Sequence, residues 1–355
     1  MSDGGGHATR DSARATDRTE SDRSASAIGR DDSSRTGDAT EPGESVEFTY
    51  DERSRHAADT SAYACRGVDP AERVACLTLD LENDWYVDEP GYDHLTFAYL
   101  DDYVDLIRDL AVPVTFFVVG RTVERYPEVI DRLDRDLDCE FHLHSYRHDT
   151  TKSTDFRADV RRGVDAFESH FGYEPMGYRA PQGNIEPGEF TILEDEGFAF
   201  DSSVFPSYRP GVYNNLTAPR TPYRPEGTST LVEMPIGTTA SRIPIAHSYL
   251  KLLGRPFQRA LASASLPSPL LYNTHLQDLY RTRSYETLPR GKRFLFERNI
   301  ERSTDLLRST VETLRRRGYS FTRVSLAYET YARHAQRSSP ETAPDRPIPA
   351  PRSRP

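Results

Sequence analysis

The sequence predicts one α/β domain over residues 72–334, either an α/β barrel or a doubly wound parallel sheet. Three observations carry this. Apolar, β-branched runs alternate with amphipathic segments over ~250 residues. The run Val112–Gly120 (VPVTFFVVG) is apolar throughout, as expected of a strand covered on both faces. Five polar clusters each fall on or after a different apolar run, and strand ends are where sites of parallel α/β folds lie.

The elements follow in order. Residues 1–45 are Ser, Asp, Arg, Gly, Thr and Ala with almost no large apolar side chain, so they read as a disordered tail. Residues 46–71 are expected to pack as an incoming strand or loop. Val74–Leu81 (VACLTLDL) reads as a strand, Leu95–Leu110 as a helix, Val112–Gly120 as a strand and Arg121–Leu133 as a helix. Cys139–His144 is a short strand. Phe156–Phe171 is a helix with Val160, Val164, Phe167 and Phe171 on one stripe. Met176–Pro181, Phe198–Phe205, Leu231–Gly237 and Leu270–His275 read as strands, Ile300–Leu314 as a helix and Tyr319–Val324 as a last strand. Residues 335–355 are Pro-rich and read as a second disordered tail.

Composition excludes several classes. Among 355 residues, 45 Lys+Arg against 56 Asp+Glu leave a net charge of −11, and no basic face suited to nucleic acid is evident. No apolar run approaches the ~20 residues of a bilayer span, so no integral membrane segment is expected. Met1 to Arg10 lack an apolar core of the secretory type, which predicts a cytoplasmic protein. Cys65, Cys76 and Cys139 form no CxxC and cannot all pair, which argues against a disulfide scaffold. Lysine occurs only at 152, 251 and 292. An acidic, lysine-poor chain suits a halophilic, high-salt cytoplasm, and GC-rich codon usage would give the same composition.

The chemistry sits in the clusters. In Thr78-Leu79-Asp80-Leu81-Glu82-Asn83-Asp84-Trp85 an apolar strand ends in three acids at alternating positions. Period two places Asp80, Glu82 and Asp84 on one face while the chain stays extended. They would repel unless a cation, an Arg or a proton intervenes; a solvated strand end is the plainer reading. In Glu140-Phe141-His142-Leu143-His144-Ser145-Tyr146-Arg147-His148, His144 and His148 are four apart, so one helical turn would bring both imidazoles to one face. With a carboxylate they would make a three-ligand metal site with open positions; a surface histidine cluster is the alternative. His142 reads as structural. Arg179-Ala180-Pro181-Gln182-Gly183 places a permanent cation before a fixed turn. Asp201 lies in a strand candidate, and His275 follows the apolar run ending Tyr272-Asn273-Thr274.

With these clusters in this order, the chain resembles the polysaccharide deacetylases, carbohydrate esterase family four (NodB-homology domain). HSxxH matches His144, Ser145 and His148, and RxPxG matches Arg179, Pro181 and Gly183. TLDLEND stands where the family commonly has TFDDG, as a D-x-E/D variant, and Asn273-Thr274-His275 resembles the fifth motif. The run Thr115–Gly120 (TFFVVG) is also typical, and the resemblance spans about residues 72–325.

The resemblance implies a distorted (β/α) barrel and metal-dependent hydrolysis of an N- or O-acetyl group on an N-acetylated sugar or glycan. Carried over, Asp80 matches the catalytic base, His144 and His148 the metal ligands, and Arg179 the residue bracing the base. Glu82, with Asp84 as the alternative, stands for the third ligand. His275 matches the general acid and Asp201 the acid orienting it. Gln182 supplies the backbone N–H of the oxyanion site, flanked by Pro181 and Gly183, with Trp85 beside the substrate. Two His and one carboxylate suit Zn²⁺, with Co²⁺, Ni²⁺ or Mn²⁺ compatible. Two other functions fit the same residues: a deformylase or amidohydrolase acting on a lipid-linked amino sugar or small cyclic amide, and a non-catalytic sugar-binding module.

Overall fold

The computed structural model describes residues 72–86 and 91–338. The N-terminal tail, the 46–71 segment, Cys65 and residues 339–355 lie outside the described residues.

Among the described residues, ten strands and their helices follow in chain order, beginning with β1 (Arg73–Leu81), α1 (Leu100–Leu110), β2 (Val114–Val118), α2 (Gly120–Arg125), α3 (Pro127–Asp136), β3 (Cys139–Leu143) and α4 (Phe156–Phe171). Then come β4 (Gly177–Tyr178), α5 (Pro187–Asp195), β5 (Phe200–Asp201), the hairpin β6 (Tyr208–Arg209) and β7 (Tyr213–Asn214), and β8 (Val232–Glu233). The chain continues through α6 (His247–Leu261), β9 (Leu270–Thr274), α7 (Leu276–Leu279), α8 (Arg290–Phe296), α9 (Ser303–Arg316), β10 (Tyr319–Phe321) and α10 (Val324–Ser338).

The main sheet is parallel, in the order β10-β1-β2-β3-β4-β5-β8, and β9 pairs with the middle of β1, from Ala75 to Leu79. A parallel bridge between Ile236 and Leu271 links the chain after β8 to β9, so the strands curve back to β1. This is the expected (β/α) barrel. Period two decides which residues face which core. On β1, Ala75, Leu77, Leu79 and Leu81 pack outward with Val104, Ile107, Leu307 and Val311 of α1 and α9. Val74 and Cys76 point inward to meet Phe117, Phe200, Met234, Ile236 and Leu271. Helix α10 closes this inner cluster with Val324 and Ala327. The same inward row continues along β1 to Thr78 and Asp80. One end of the barrel interior is therefore apolar and plugged, and the other carries the polar side chains.

Several expectations need correction. The helix over 121–133 is two helices, because Pro127 has no N–H to continue α2 and instead begins α3. The runs at 176–181, 198–205 and 231–237 give only two-residue ladders. Pro181 starts a 3-10 turn, and Gly177 lies so close to Phe200 that a Cβ there would be 2.2 Å from the ring. Helix α6 falls where no element was expected, and its Gly254 leaves the helical conformation at a kink two residues before Pro256. Helix α5 begins at a capping box between Glu186 and Glu189. Helix α10 runs to Ser338, four residues beyond the expected boundary at 334. Cys76 and Cys139 are free thiols. Among the described residues no helix is long and apolar enough to cross a membrane.

Candidate active site

The parallel register brings the clusters to one end. Leu81 of β1 pairs with Val118, Val118 with Leu143, and Leu143 with Tyr178, so the residues that follow these strands sit side by side. Thr78 pairs with Asn273, which brings β9 and His275 to the other flank of Asp80.

Asp80 is almost wholly buried and fully engaged. Arg179 Nη1 donates to Oδ1 at 2.6 Å, Asn273 Nδ2 donates to Oδ2 at 2.9 Å, and His275 Nε2 lies 3.4 Å from Oδ2. Burial pushes the Asp80 carboxyl up. Arg179, then His144 and His275, more than offset this and hold it well below the usual carboxylate range. Arg179 is itself locked, donating to Thr78 Oγ1, Ser202 O and Ser202 Oγ at 2.9 Å each. Its guanidinium lies 3.9 Å from the Phe117 ring centroid. Arg179 thus meets Asp80, with Thr78, Asn273 and Ser202 as further partners of the pair.

Glu82 stands one residue past the end of β1, still on the inward row. Its Oε2 is 2.5 Å from His148 Nε2 and 3.3 Å from His144 Nε2. Ligand atoms of Glu82, His144 and His148 all lie within 4.8 Å of one another. His144 Nδ1 donates to the Arg179 carbonyl at 2.8 Å, which leaves Nε2 as the lone-pair nitrogen facing Glu82. Gln277 Nε2 donates to Glu82 Oε1 at 2.9 Å. Burial pushes the Glu82 carboxyl up, but His148 and His144 hold it well below its usual value. Two imidazole nitrogens and a carboxylate oxygen turned to one point fit a divalent transition metal.

The histidines do not converge by a helical turn, as their spacing suggested. Ser145 and His148 take left-handed backbone, φ 62 and φ 58, and the segment is a loop. The turn is held by the His148 N–H donating to Ser145 Oγ at 2.9 Å. His142 is buried between Phe117 and Phe200, with Glu140 3.3 Å from its Nε2, in the structural position expected.

Asp84 does not join Glu82. The chain leaves the extended conformation after β1, and Asp84 turns to accept from the Thr96 hydroxyl at 2.6 Å and the Thr96 N–H at 3.1 Å. Burial pushes its carboxyl up to about 6 despite these bonds. Trp85 is left-handed, φ 55, and packs edge-on against Tyr285 and tilted against Phe296.

His275 differs from expectation in its partner. Its Nδ1 lies 3.1 Å from Asp278 Oδ2, three residues along the chain. Burial opposes the imidazolium, but Asp278 and Asp80 raise its pKa well above the ordinary value. Asp201 belongs elsewhere. It accepts from the Ser203 hydroxyl at 2.6 Å and the Ser203 N–H at 3.1 Å, and faces Glu233 in a buried acid pair. Burial raises both of these carboxyls above the usual carboxylate range. Asp201 reaches the site through Ser203, whose hydroxyl accepts from the Ala180 N–H at 2.7 Å and so fixes the turn after Arg179, and through the charge of Arg179 itself. In that turn Pro181 is buried, Gln182 is left-handed at φ 56, and Gly183 at φ 67 leaves no room for a Cβ, which would meet Ser203 O at 2.7 Å.

Asp278 and Gln277 were missed as site residues. Their signal was present, because a His followed by an acid at i+3 across a short helix brings the two side chains together.

Comparison with known proteins agrees with this picture. The family model described as Polysaccharide deacetylase matches residues 72–200. A "Peptidoglycan deacetylase-like protein FGM2" from Gibberella zeae is 30% identical over 98 residues, which are 27% of this chain and 29% of that protein. The fold of a Mycobacterium smegmatis protein, solved as a candidate polysaccharide deacetylase, superposes with a TM-score of 0.52. It has 20% identity and covers 81% of this chain and 97% of the other. Residues 72–200 thus match the polysaccharide deacetylase family model, and the fold around them is that of the Mycobacterium smegmatis protein.

Proposed function

We propose that the chain is a metal-dependent hydrolase that removes an acetyl group from an N-acetylated sugar or glycan. One observation supports it above the others. Asp80, paired with Arg179 and Asn273, stands between His275 and the Glu82–His144–His148 cluster, so base, acid and ligand set share one small volume.

Glu82, His144 and His148 would hold a divalent ion, Zn²⁺ first among compatible ones, which would lend Lewis acidity to the acetyl carbonyl and to an attacking water. The chain's own residues do the rest. Asp80 Oδ2 accepts the proton of the attacking water, while Arg179 occupies Oδ1 and keeps the carboxylate ionised. The Gln182 N–H, set by the left-handed turn, is the oxyanion donor. His275 enters protonated, with Nδ1 on Asp278 and Nε2 toward the site. It gives its proton to the leaving nitrogen, which cannot depart as an amide anion. Trp85 walls the sugar subsite against Tyr285 and Phe296. The reading includes a high-salt cytoplasm as the setting, from the acidic, lysine-poor composition.

Acetate release from N-acetylglucosamine oligomers by the metal-loaded protein tests this. Asp80→Asn should keep the metal and lose turnover by roughly 10²–10⁴-fold. Formate release from an N-formyl amino sugar, or opening of a cyclic amide, with no acetate released would redirect the activity. Glycan binding without hydrolysis by metal-loaded protein would make it a binding module.

A further inference from the structure

Lys251 is one of only three lysines in the chain and is wholly buried, in the first half of α6 before the kink at Gly254. The mechanism above gives it no task. Its Nζ lies 3.1 Å from Asp278 Oδ1 and donates to the Tyr285 hydroxyl at 3.3 Å. The other oxygen of Asp278, Oδ2, is the one facing His275 Nδ1. The two oxygens of a single buried carboxylate are thus divided between a lysine and the imidazole.

The surroundings hold this division from the backbone side as well. Tyr285 Oη donates to the Gln277 carbonyl at 2.7 Å, and Ser303 Oγ donates to the Asp278 carbonyl. His247 Nε2 meets Ser303 Oγ at 2.8 Å. Asn299 Nδ2 donates to the Lys251 carbonyl at 2.7 Å, which anchors the lysine's own turn of helix. With the Gln277 and Asp278 carbonyls held, the remaining freedom of Asp278 is rotation of its carboxylate, and Lys251 is the contact that opposes it from the side away from His275.

We propose that Lys251 is a positioning residue for the reaction. It pins Asp278 Oδ1, so that Oδ2 alone receives His275 Nδ1–H and the imidazole is fixed with Nε2 toward Asp80. The proposal rests on the reading of His275 as general acid. A plain tether between α6 and α7 would make the same ion pair and would leave the imidazole indifferent to it.

The experiment uses the full, metal-loaded chain as wild type, Lys251→Met, Asp278→Asn and the double variant. Readouts are kcat and KM on an N-acetylglucosamine oligomer, metal content, and the downfield imidazole N–H proton resonance of His275, assigned by its loss in His275→Gln. Lys251→Met is expected to lower kcat roughly 10- to 100-fold, the range for losing an outer-shell partner. KM and metal content should stay within about twofold, and the resonance should shift or broaden. The double variant should be no slower than Asp278→Asn, because the lysine acts only through that carboxylate. A folded Lys251→Met with wild-type kcat and an unmoved resonance overturns the proposal, as does a double variant whose loss is the product of the two singles. Should Lys251→Met fail to fold, the double variant, which buries no lone charge, is compared with Asp278→Asn alone. Equality then supports the proposal and a further drop overturns it. Should the wild type release no acetate, the functional reading fails, and the resonance in Lys251→Met still decides the positioning role.

Discussion

Asp80, Glu82, His144 and Arg179 stand at or just beyond the ends of paired strands, whereas His275, Gln277 and Asp278 stand on or beside the four-residue helix α7. The first group takes its position from the backbone ladder of β1, β3 and β4. The second takes it from side chains, because a single turn of helix has no stability of its own. Gln277 reaches Glu82, Asp278 reaches His275 and Lys251, and Tyr285 and Ser303 hold the carbonyls between them. A strand end can lose a side chain and keep its geometry. The helical wall loses geometry with each side chain it loses.

Substitutions can break this comparison, and the largest effect belongs to the histidine loop. His144→Ala and His148→Ala should each reduce bound metal to background and abolish turnover, with far-UV circular dichroism unchanged. Stoichiometric metal in the double variant would remove these residues from the ligand set. Glu82 and Asp84 come next, two residues apart and opposite in consequence. Glu82→Ala should lose the metal. Asp84→Ala should keep it and lose about 1–3 kcal/mol of stability in denaturant titration, because the buried Thr96 N–H and hydroxyl lose their acceptor. Metal loss in Asp84→Ala with retention in Glu82→Ala would reverse the assignment. Gln277→Ala reads the helical wall alone, and should weaken metal affinity roughly 10- to 100-fold in a competition titration with a chelator. Unchanged affinity would mean that Glu82 needs no support from α7.

The smallest effect on activity lies at the plugged end of the barrel. Burial pushes the Glu140 carboxyl up, but His142 and the hydroxyls of Ser325 and Thr115 bring it down to about 2. A carboxyl lowered on folding stabilises the protein above its unfolded value, 4.5, and that stability disappears as pH falls toward 2. Glu140→Gln should therefore flatten the acid limb of stability between these values, by on the order of 3 kcal/mol, with turnover at neutral pH unchanged. An acid limb as steep as the wild type's would place the titrating group elsewhere.

The strand-end wall was legible in the sequence and the helical wall largely was not, for the same reason. Asp80, Glu82, His144, His148 and Arg179 each terminate or follow a visible apolar run, so local pattern and parallel register suffice to gather them. Even there, the loop geometry at Ser145 and His148 and the departure of Asp84 toward Thr96 depend on contacts that no periodicity encodes. Asp278 stands three residues after His275, whereas the resemblance points to Asp201; the i, i+3 contact across α7 brings Asp278, not Asp201, to the imidazole. Lys251 could not be found by pattern. It reaches Asp278 from 27 positions earlier, through a helix that Gly254 and Pro256 disguise as a loop.

The left-handed backbone at Ser145 and His148 bears on how the chain itself forms the histidine loop. Neither residue is glycine, and a side chain in that conformation costs roughly 1–2 kcal/mol. Folding bears that cost, through the Ser145–His148 hydrogen bond and the bonds that Gly120 N and Arg121 N donate to the carbonyls of Ser145 and Tyr146. The loop's shape is therefore set by the chain's own hydrogen bonds, which present the two histidines together without a helical turn or a strand ladder beneath them.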